Sequence, residues 1–342
     1  MREPDKNRYL RAIKHIESEE IPFQEDEIEI TVASKILGRQ LPMVRPYELP
    51  AEDYIELCLR AGNDLVYVAR VWELGRKNFI DGSGRKHYVD GTIKTRDDLK
   101  GIVFPDISML KQRIEEIFET VEGTNFGIKF TPNQAPFVVA TAIGYSDYYQ
   151  YMLTDPSFIH QFQDMIGDYC LKELELALDY PVDIIQVGAV ICSKTGPMFR
   201  RELIEEFEYP SLRQRVNMAK SKGVPVSIHM DGNYQSLIPD FIEMGIDVIN
   251  PVEPCDGAQD VFRIKEQYGD KIAIHGDIDL AGVLVRGSPE DVAREVEEHC
   301  RRLGRGGGYV CGSSHNITEN VPVENFYAMR DTVHNFRFPV KS

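Results

Sequence analysis

From residue 126 to residue 310 the chain repeats one alternation, a short apolar run followed by a longer amphipathic segment. The runs at 126–130, 183–187, 224–228, 246–249, 272–274 and 308–310 have the length and composition of buried strands. The segments at 157–178, 200–221 and 288–303 have helical length and spacing. Alternation of this kind points to parallel strands joined by crossover helices. Two further strand-like runs, at 28–32 and 64–68, bring the total to about eight, the number that closes a (β/α)8 TIM barrel. The competing architecture is an open doubly wound sheet; the chain lacks the G-x-G-x-x-G turn that often marks one.

Ahead of the alternation, the spacing of Tyr9, Leu10, Ile13 and Ile16 predicts an N-terminal helix over 4–20, and residues 51–61 also read as helical. The flanks of Asp81-Gly-Ser-Gly84 have strand-like composition and predict a hairpin. No low-complexity linker or repeat interrupts the chain. The expected organisation is therefore one domain over 1–342, a barrel with an N-terminal helical extension.

The length of 342 residues lies in the ordinary range of such a barrel, and 42% hydrophobic with 27% charged residues is the balance of a globular protein. No run approaches the ~18 apolar residues of a membrane span, and the first residues lack the apolar core of a secretory signal. The expected location is the cytoplasm. A net charge of -16 repels nucleic acid and anionic membranes, so neither is an expected partner. Cys58, Cys170, Cys192, Cys255, Cys300 and Cys311 form no CxxC pair and read as free thiols of a reducing compartment.

In a parallel barrel the polar residues that follow each strand collect at one mouth. The run Val226-Ser-Ile-His-Met-Asp-Gly-Asn233 ends in His229 and Asp231, which share one side of an extended strand, and Gly232 lets the backbone turn away. Glu253 follows the run at 246–249 between two prolines, and Cys311 follows the run at 308–310. Taken singly, these read as readily as a hydrogen-bonded core histidine, a loop glutamate and a buried thiol. Taken together, His229, Asp231, Glu253 and Cys311 supply the nitrogen, oxygen and sulfur donors of a zinc site, with a weak ligand free to yield to substrate. His275 and Asp277 end another strand and are candidates for orienting substrate or supporting the metal; a capped turn is the plain alternative. Asn133, Lys194, His315 and Asn316 are candidate substrate contacts.

Over about residues 120–335 the chain resembles the uroporphyrinogen decarboxylase superfamily, in its corrinoid-dependent methyltransferase branch. The resemblance rests on Phe199-Arg-Arg-Glu-Leu-Ile-Glu-Glu-Phe207 after a Thr-Gly-Pro turn, on His229-Met-Asp-Gly-Asn233, on the stretch 238–251, and on Gly308-Tyr-Val-Cys-Gly-Ser-Ser-His-Asn316. The decarboxylases carry an arginine-rich N-terminal segment that grips an acidic porphyrinogen, and this acidic chain has nothing like it. The methyltransferases carry His-x-Cys and a distant Cys as zinc ligands. The resemblance places His229 and Cys311 at the first and last of these positions, with Asp231 in place of the middle cysteine. Glu253 matches a glutamate ligand of the related cobalamin-independent methionine synthase. An aspartate in place of a cysteine makes the site harder and argues against a thiol acceptor.

The function implied is a cytoplasmic zinc-dependent methyltransferase. It would move a methyl group from a methoxylated small molecule to the cob(I)alamin of a partner corrinoid protein, as the first step of an O-demethylation. The alternatives are a metal-independent decarboxylase of the same superfamily, or a non-catalytic corrinoid- or tetrapyrrole-binding protein. A homodimer is compatible with the sequence, which does not set the oligomeric state.

Overall fold

The computed structural model describes residues 2–82 and 84–338. Among them are eleven strands: β1 Leu65–Ala69, β2 Arg76–Ile80, β3 Lys86–Gly91, β4 Gly127–Thr131, β5 Ile184–Gly188, β6 Cys192–Ser193, β7 Gly196–Pro197, β8 Val226–His229, β9 Val248–Asn250, β10 Ala273–His275 and β11 Tyr309–Val310. Seven of these form one parallel sheet in the order β1-β4-β5-β8-β9-β10-β11. Residues 22–25 span the remaining gap between β11 and β1. Phe23 bridges Cys311 in parallel, the Gln24 N–H donates to the Cys311 carbonyl, and the Asp64 N–H donates to the Phe23 carbonyl. The expected barrel is present, closed by this stretch as its eighth stave.

The strand expected at 28–32 is not formed. Ile30–Leu37 is a helix whose buried Ile30, Ala33, Ile36 and Leu37 recur at helical spacing, and it stops at Gly38, where φ is +68°. The true eighth stave is too short and too polar to show a period of two. The N-terminal helix spans only Lys6–Ile13, capped by the Asp5 side chain. The segment expected as one helix at 200–221 is divided into Arg201–Leu203, a π turn Ile204–Glu208, and Tyr209–Ser221. Pro210 has no N–H to continue the ladder, which suits a π turn ahead of it. The helices Pro156–Leu178 and Pro289–Leu303 lie where expected. The hairpin forms from β2 and β3, antiparallel; Ser83 of its turn lies outside the described residues. No helix among the described residues is long and apolar enough to cross a membrane.

Strand alternation sorts side chains into the barrel or toward the helices. Leu65, Ile184, Val248, Ala273 and Val310 face inward at the bottom, where Tyr9, Ala12 and Ile13 of the N-terminal helix plug the barrel. Two residues further along, Tyr67, Lys129, Gln186, Asn250 and His275 form the next inward layer. Above them Ala69, Thr131, Gly188 and His229 reach the mouth, with Ala69 beside Thr131 and Gly188 beside His229. The intervening residues Ile185, Val187, Ile228, Ile249, Ile274, Tyr309 and Cys311 join the apolar layer under the outer helices.

Candidate active site at the barrel mouth

The C-terminal ends of β1, β4, β5 and β8 surround a cavity of about 210 Å³. Its walls combine Tyr47, Tyr67 and Phe137 with Arg45, Arg70 and the polar ends of Asp26, His229 and Asp231. Asn250, from the next strand, sets the orientation of His229. The Asn250 Nδ2 donates to the His275 carbonyl at 3.1 Å, so its Oδ1 must accept from His229 Nδ1 at 3.0 Å. That assignment leaves His229 Nε2 turned to the mouth. Asp231 Oδ1 lies 3.5 Å from His229 Nε2 and 3.6 Å from His315 Nε2. Solvent reaches all three side chains, at 29%, 49% and 35% exposure.

The turn after β8 depends on Gly232, as the sequence predicts. Its φ is +81°, and a Cβ there would lie 2.6 Å from the Ser193 carbonyl oxygen. Gly232 N–H donates to Glu253 Oε2 at 2.7 Å, and Asn233 N–H donates to the Ser193 carbonyl at 2.8 Å. Glu253 thus holds the turn that presents Asp231.

Beneath the mouth lies a buried polar layer. Lys129 Nζ meets Asp26 Oδ2 at 2.6 Å with almost no solvent access to either side chain. Burial alone would raise the Asp26 pKa, but the Lys129 ammonium outweighs it and holds the carboxyl below its ordinary range. Beside it Glu25 accepts from both the backbone N–H and the hydroxyl of Ser313, each at 2.6 Å. Burial nevertheless pushes Glu25 up to about 8. His275 lies in the same layer, its Nε2 donating to the Gln24 carbonyl at 2.9 Å. Burial, with help from Lys129, lowers its pKa to about 4, so the ring is neutral near pH 7.

Other expected site residues fall elsewhere. Because Val310 faces inward, Cys311 faces outward by strand alternation and is fully buried beside Cys300 and Tyr309. Burial and the neighbouring Cys300 push its thiol well above the ordinary value. Asp277 also leaves the mouth: Gly276, with φ of +77°, turns the chain. The Asp277 oxygens then meet the Tyr309 hydroxyl at 2.7 Å and His299 Nδ1 at 2.5 Å. These contacts anchor the helix Pro289–Leu303 and leave the Asp277 carboxylate turned away from the mouth. Asn133 lines the cavity, but its side chain is engaged by the Trp72 N–H and Glu173. Lys194 is 63% exposed on a loop, 3.7 Å from Asp256, and does not line the cavity. Asn316 lines it, and His315 reaches its edge through Asp231.

The four expected zinc ligands are therefore not assembled. Cys311 lies in the outer core, and Glu253 is turned to the Gly232 amide. No group of three or more His, Cys, Asp or Glu side chains among the described residues is arranged to hold a metal ion. The residues present do not fit the zinc centre that the resemblance implies.

Sequence reasoning missed Asp26, Lys129, Arg45, Tyr67, Arg70 and Gln186. Lys129 carried a readable signal, a lysine in phase with the inward positions of an otherwise apolar strand. Asp26 sits in the acidic run Glu25-Asp26-Glu27, whose composition gives no sign of a buried position.

Comparison with known proteins agrees with this architecture. The profile of the family "Uroporphyrinogen decarboxylase (URO-D)" matches residues 77–336. A uroporphyrinogen decarboxylase of Mannheimia succiniciproducens is 21% identical, covering 88% of this chain and 91% of its own length. A methylated-thiol–coenzyme M methyltransferase of Methanosarcina mazei is 26% identical over 199 residues, 57% of this chain and 49% of that protein. Among solved structures, a methyltransferase from Methanosarcina mazei superposes with a TM-score of 0.75 at 16% identity, covering 97% of this chain and 98% of that one. With the profile spanning most of the chain and the barrel closed as described, the protein belongs to the uroporphyrinogen decarboxylase family.

Proposed function

We propose that the protein is a methyltransferase that moves a methyl group from a methoxylated small molecule to the cob(I)alamin of a partner corrinoid protein. The observation that carries this reading is the mouth cavity: about 210 Å³, walled by aromatic rings, with His229 and Asp231 on its rim. Drug-sized ligands occupy pockets of ~300–1,000 Å³, so this cavity suits a compound of about one ring. Three of its lining side chains are carboxylates, Asp26, Glu27 and Asp231, which disfavours a tetrapyrrole carrying many carboxylates.

Transfer of the methyl group leaves the C–O electron pair on oxygen, and the departing alkoxide or phenoxide needs a proton or another electrophile. With its Nδ1–H held by Asn250, His229 can give up a proton from Nε2 only as the imidazolium; in that form its Nε2–H, 3.5 Å from Asp231, stands at the mouth where the proton can be delivered. Demethylated alcohol or phenol and methylated cobalt are the products.

Methyl transfer from methoxylated compounds to free cob(I)alamin, followed by loss of the cobalt(I) absorbance, tests the reading. His229→Ala is expected to lower the rate by ~10²–10⁴, the usual contribution of a positioned proton donor. No transfer from a panel of methoxylated aromatic and aliphatic donors, or an unchanged rate in the variant, refutes it. Metal analysis of the same protein belongs beside it. Stoichiometric zinc that survives Cys311→Ala would place the metal on the mouth histidines, and zinc lost with Cys311 would restore the ligand set expected from the sequence.

A further inference from the structure

The hairpin β2–β3 leaves the barrel at the mouth end of β1 yet takes almost no part in the core. Of the described residues 76–91 only Gly91 is buried, and Phe79, Ile80 and Val89 stand open to solvent. Two antiparallel strands without a buried apolar face are marginally stable at best, so this pair is held by what it touches at its two ends. At the base, the Tyr88 hydroxyl donates to the Thr141 carbonyl at 3.1 Å, and Arg76 packs over the Phe137 ring at 5.2 Å. Gly91 lies so close to the Ala142 carbonyl that a Cβ there would come within 2.2 Å of its oxygen. These contacts are all on the helix Ala135–Ile143, which follows β4 and carries the cavity wall Phe137. At the tip, Arg85 pairs with Glu29 at 3.0 Å and with Glu319. Glu29 stands two residues after Glu27 and Glu319 three after Asn316, both cavity walls.

In the ring of staves, β1 lies between β4 and the closing stretch 22–25. An arm fastened to the β4 side at its base and to the β11 side at its tip therefore runs past the end of β1, where Ala69, Arg70 and Val71 line the cavity. The two fastenings differ in kind. The base is packed against backbone carbonyls, whereas Arg85, Glu29 and Glu319 are all partly solvated, at 23%, 36% and 39% exposure. Ion pairs of this sort are weak and are screened by salt. We propose that the hairpin is a hinged strap across the β1 side of the mouth, and that the Arg85 latch governs how readily it lifts to admit ligand to the cavity. The inference goes beyond the methyltransferase reading: it concerns entry alone and holds whatever chemistry follows.

Thr131, a cavity wall that pairs with Ala69 at the end of β1, gives a reporter position. In Thr131→Cys the new thiol is labelled with N-ethylmaleimide, a neutral reagent, while the six native cysteines are buried. Adding R85Q is expected to speed labelling about three- to tenfold, as the loss of two solvent-exposed ion pairs implies. Raising ionic strength from about 0.01 M to about 1 M shortens the screening length from ~30 Å to ~3 Å. That change should speed labelling by a similar factor with Arg85 in place, and by little in R85Q. Hydrogen exchange on protein without the added cysteine supplies the second reading. The amides of β2 and β3 are expected to exchange faster in R85Q, with those of β1 and β4 unchanged. Labelling indifferent to both R85Q and salt overturns the proposal. Faster exchange spread equally over β1 and β4 does so too, since it would mean general loosening. Faster hairpin exchange with unchanged labelling also overturns it, because the strap would then lift without governing entry.

Discussion

Two buried residues below the mouth give the protein opposing responses to pH. His275 has its pKa lowered to about 4 by burial and by Lys129, against an ordinary value of 6.5. Between those values the unfolded chain binds a proton that the folded ring refuses, so stability is complete above pH 6.5 and is lost as pH falls toward 4. Glu25 is the opposite case, raised by burial from 4.5 to about 8. The folded state holds its proton over that window, so stability is complete below pH 4.5 and declines as pH rises toward 8. Each group contributes at most ~1.4 kcal/mol per pH unit. Urea unfolding from pH 4 to 9 is therefore expected to show a flatter alkaline side in Glu25→Gln and a flatter acid side in His275→Gln. A Glu25→Gln protein with the parent's alkaline slope would show that this carboxyl is already ionised in the fold.

At the scale of the element, the β8 turn joins three segments of the mouth. Gly232 bonds Glu253 and lies against Ser193, and the residue before it is Asp231. Gly232→Ala would place a Cβ in left-handed backbone, costing ~1–2 kcal/mol, and would press it against a backbone oxygen that cannot swing away. Lower stability in urea together with at least about tenfold weaker substrate binding is expected; unchanged binding would show that the Asp231 turn is not set by this contact. The same scale explains what was legible. The His229-x-Asp231-Gly232 pattern was readable because side-chain phase and turn chemistry are local. Cys311 was misplaced because its phase depends on which way Val310 points, and that is decided by the neighbouring strands and the plug beneath them. Asp277 was misplaced by a glycine that reverses the chain one residue earlier.

For the whole molecule, the N-terminal residues do more than extend the barrel. Tyr9, fully buried, packs with Ala12 and Ile13 on the inward side chains of β1, β5, β9, β10 and β11, while residues 22–25 close the ring. Tyr9→Ala is expected to destabilise the barrel by ~3–5 kcal/mol. Tyr9→Phe should be close to neutral, since the hydroxyl is buried without a hydrogen-bond partner. A small effect of Tyr9→Ala in calorimetry would mean that the plug is not part of the cooperative core. The barrel class, most of its strands, its long helices and the histidine of the mouth were set by the sequence alone, because periodicity and strand-end chemistry act over a few residues. Tertiary structure alone decided the eighth stave, the buried Asp26–Lys129 pair, the outward turn of Cys311 and the gathering of Tyr47, Tyr67 and Phe137 around a small cavity. Those features bring together residues far apart in the chain, and closure of the ring selects which side chains share the interior.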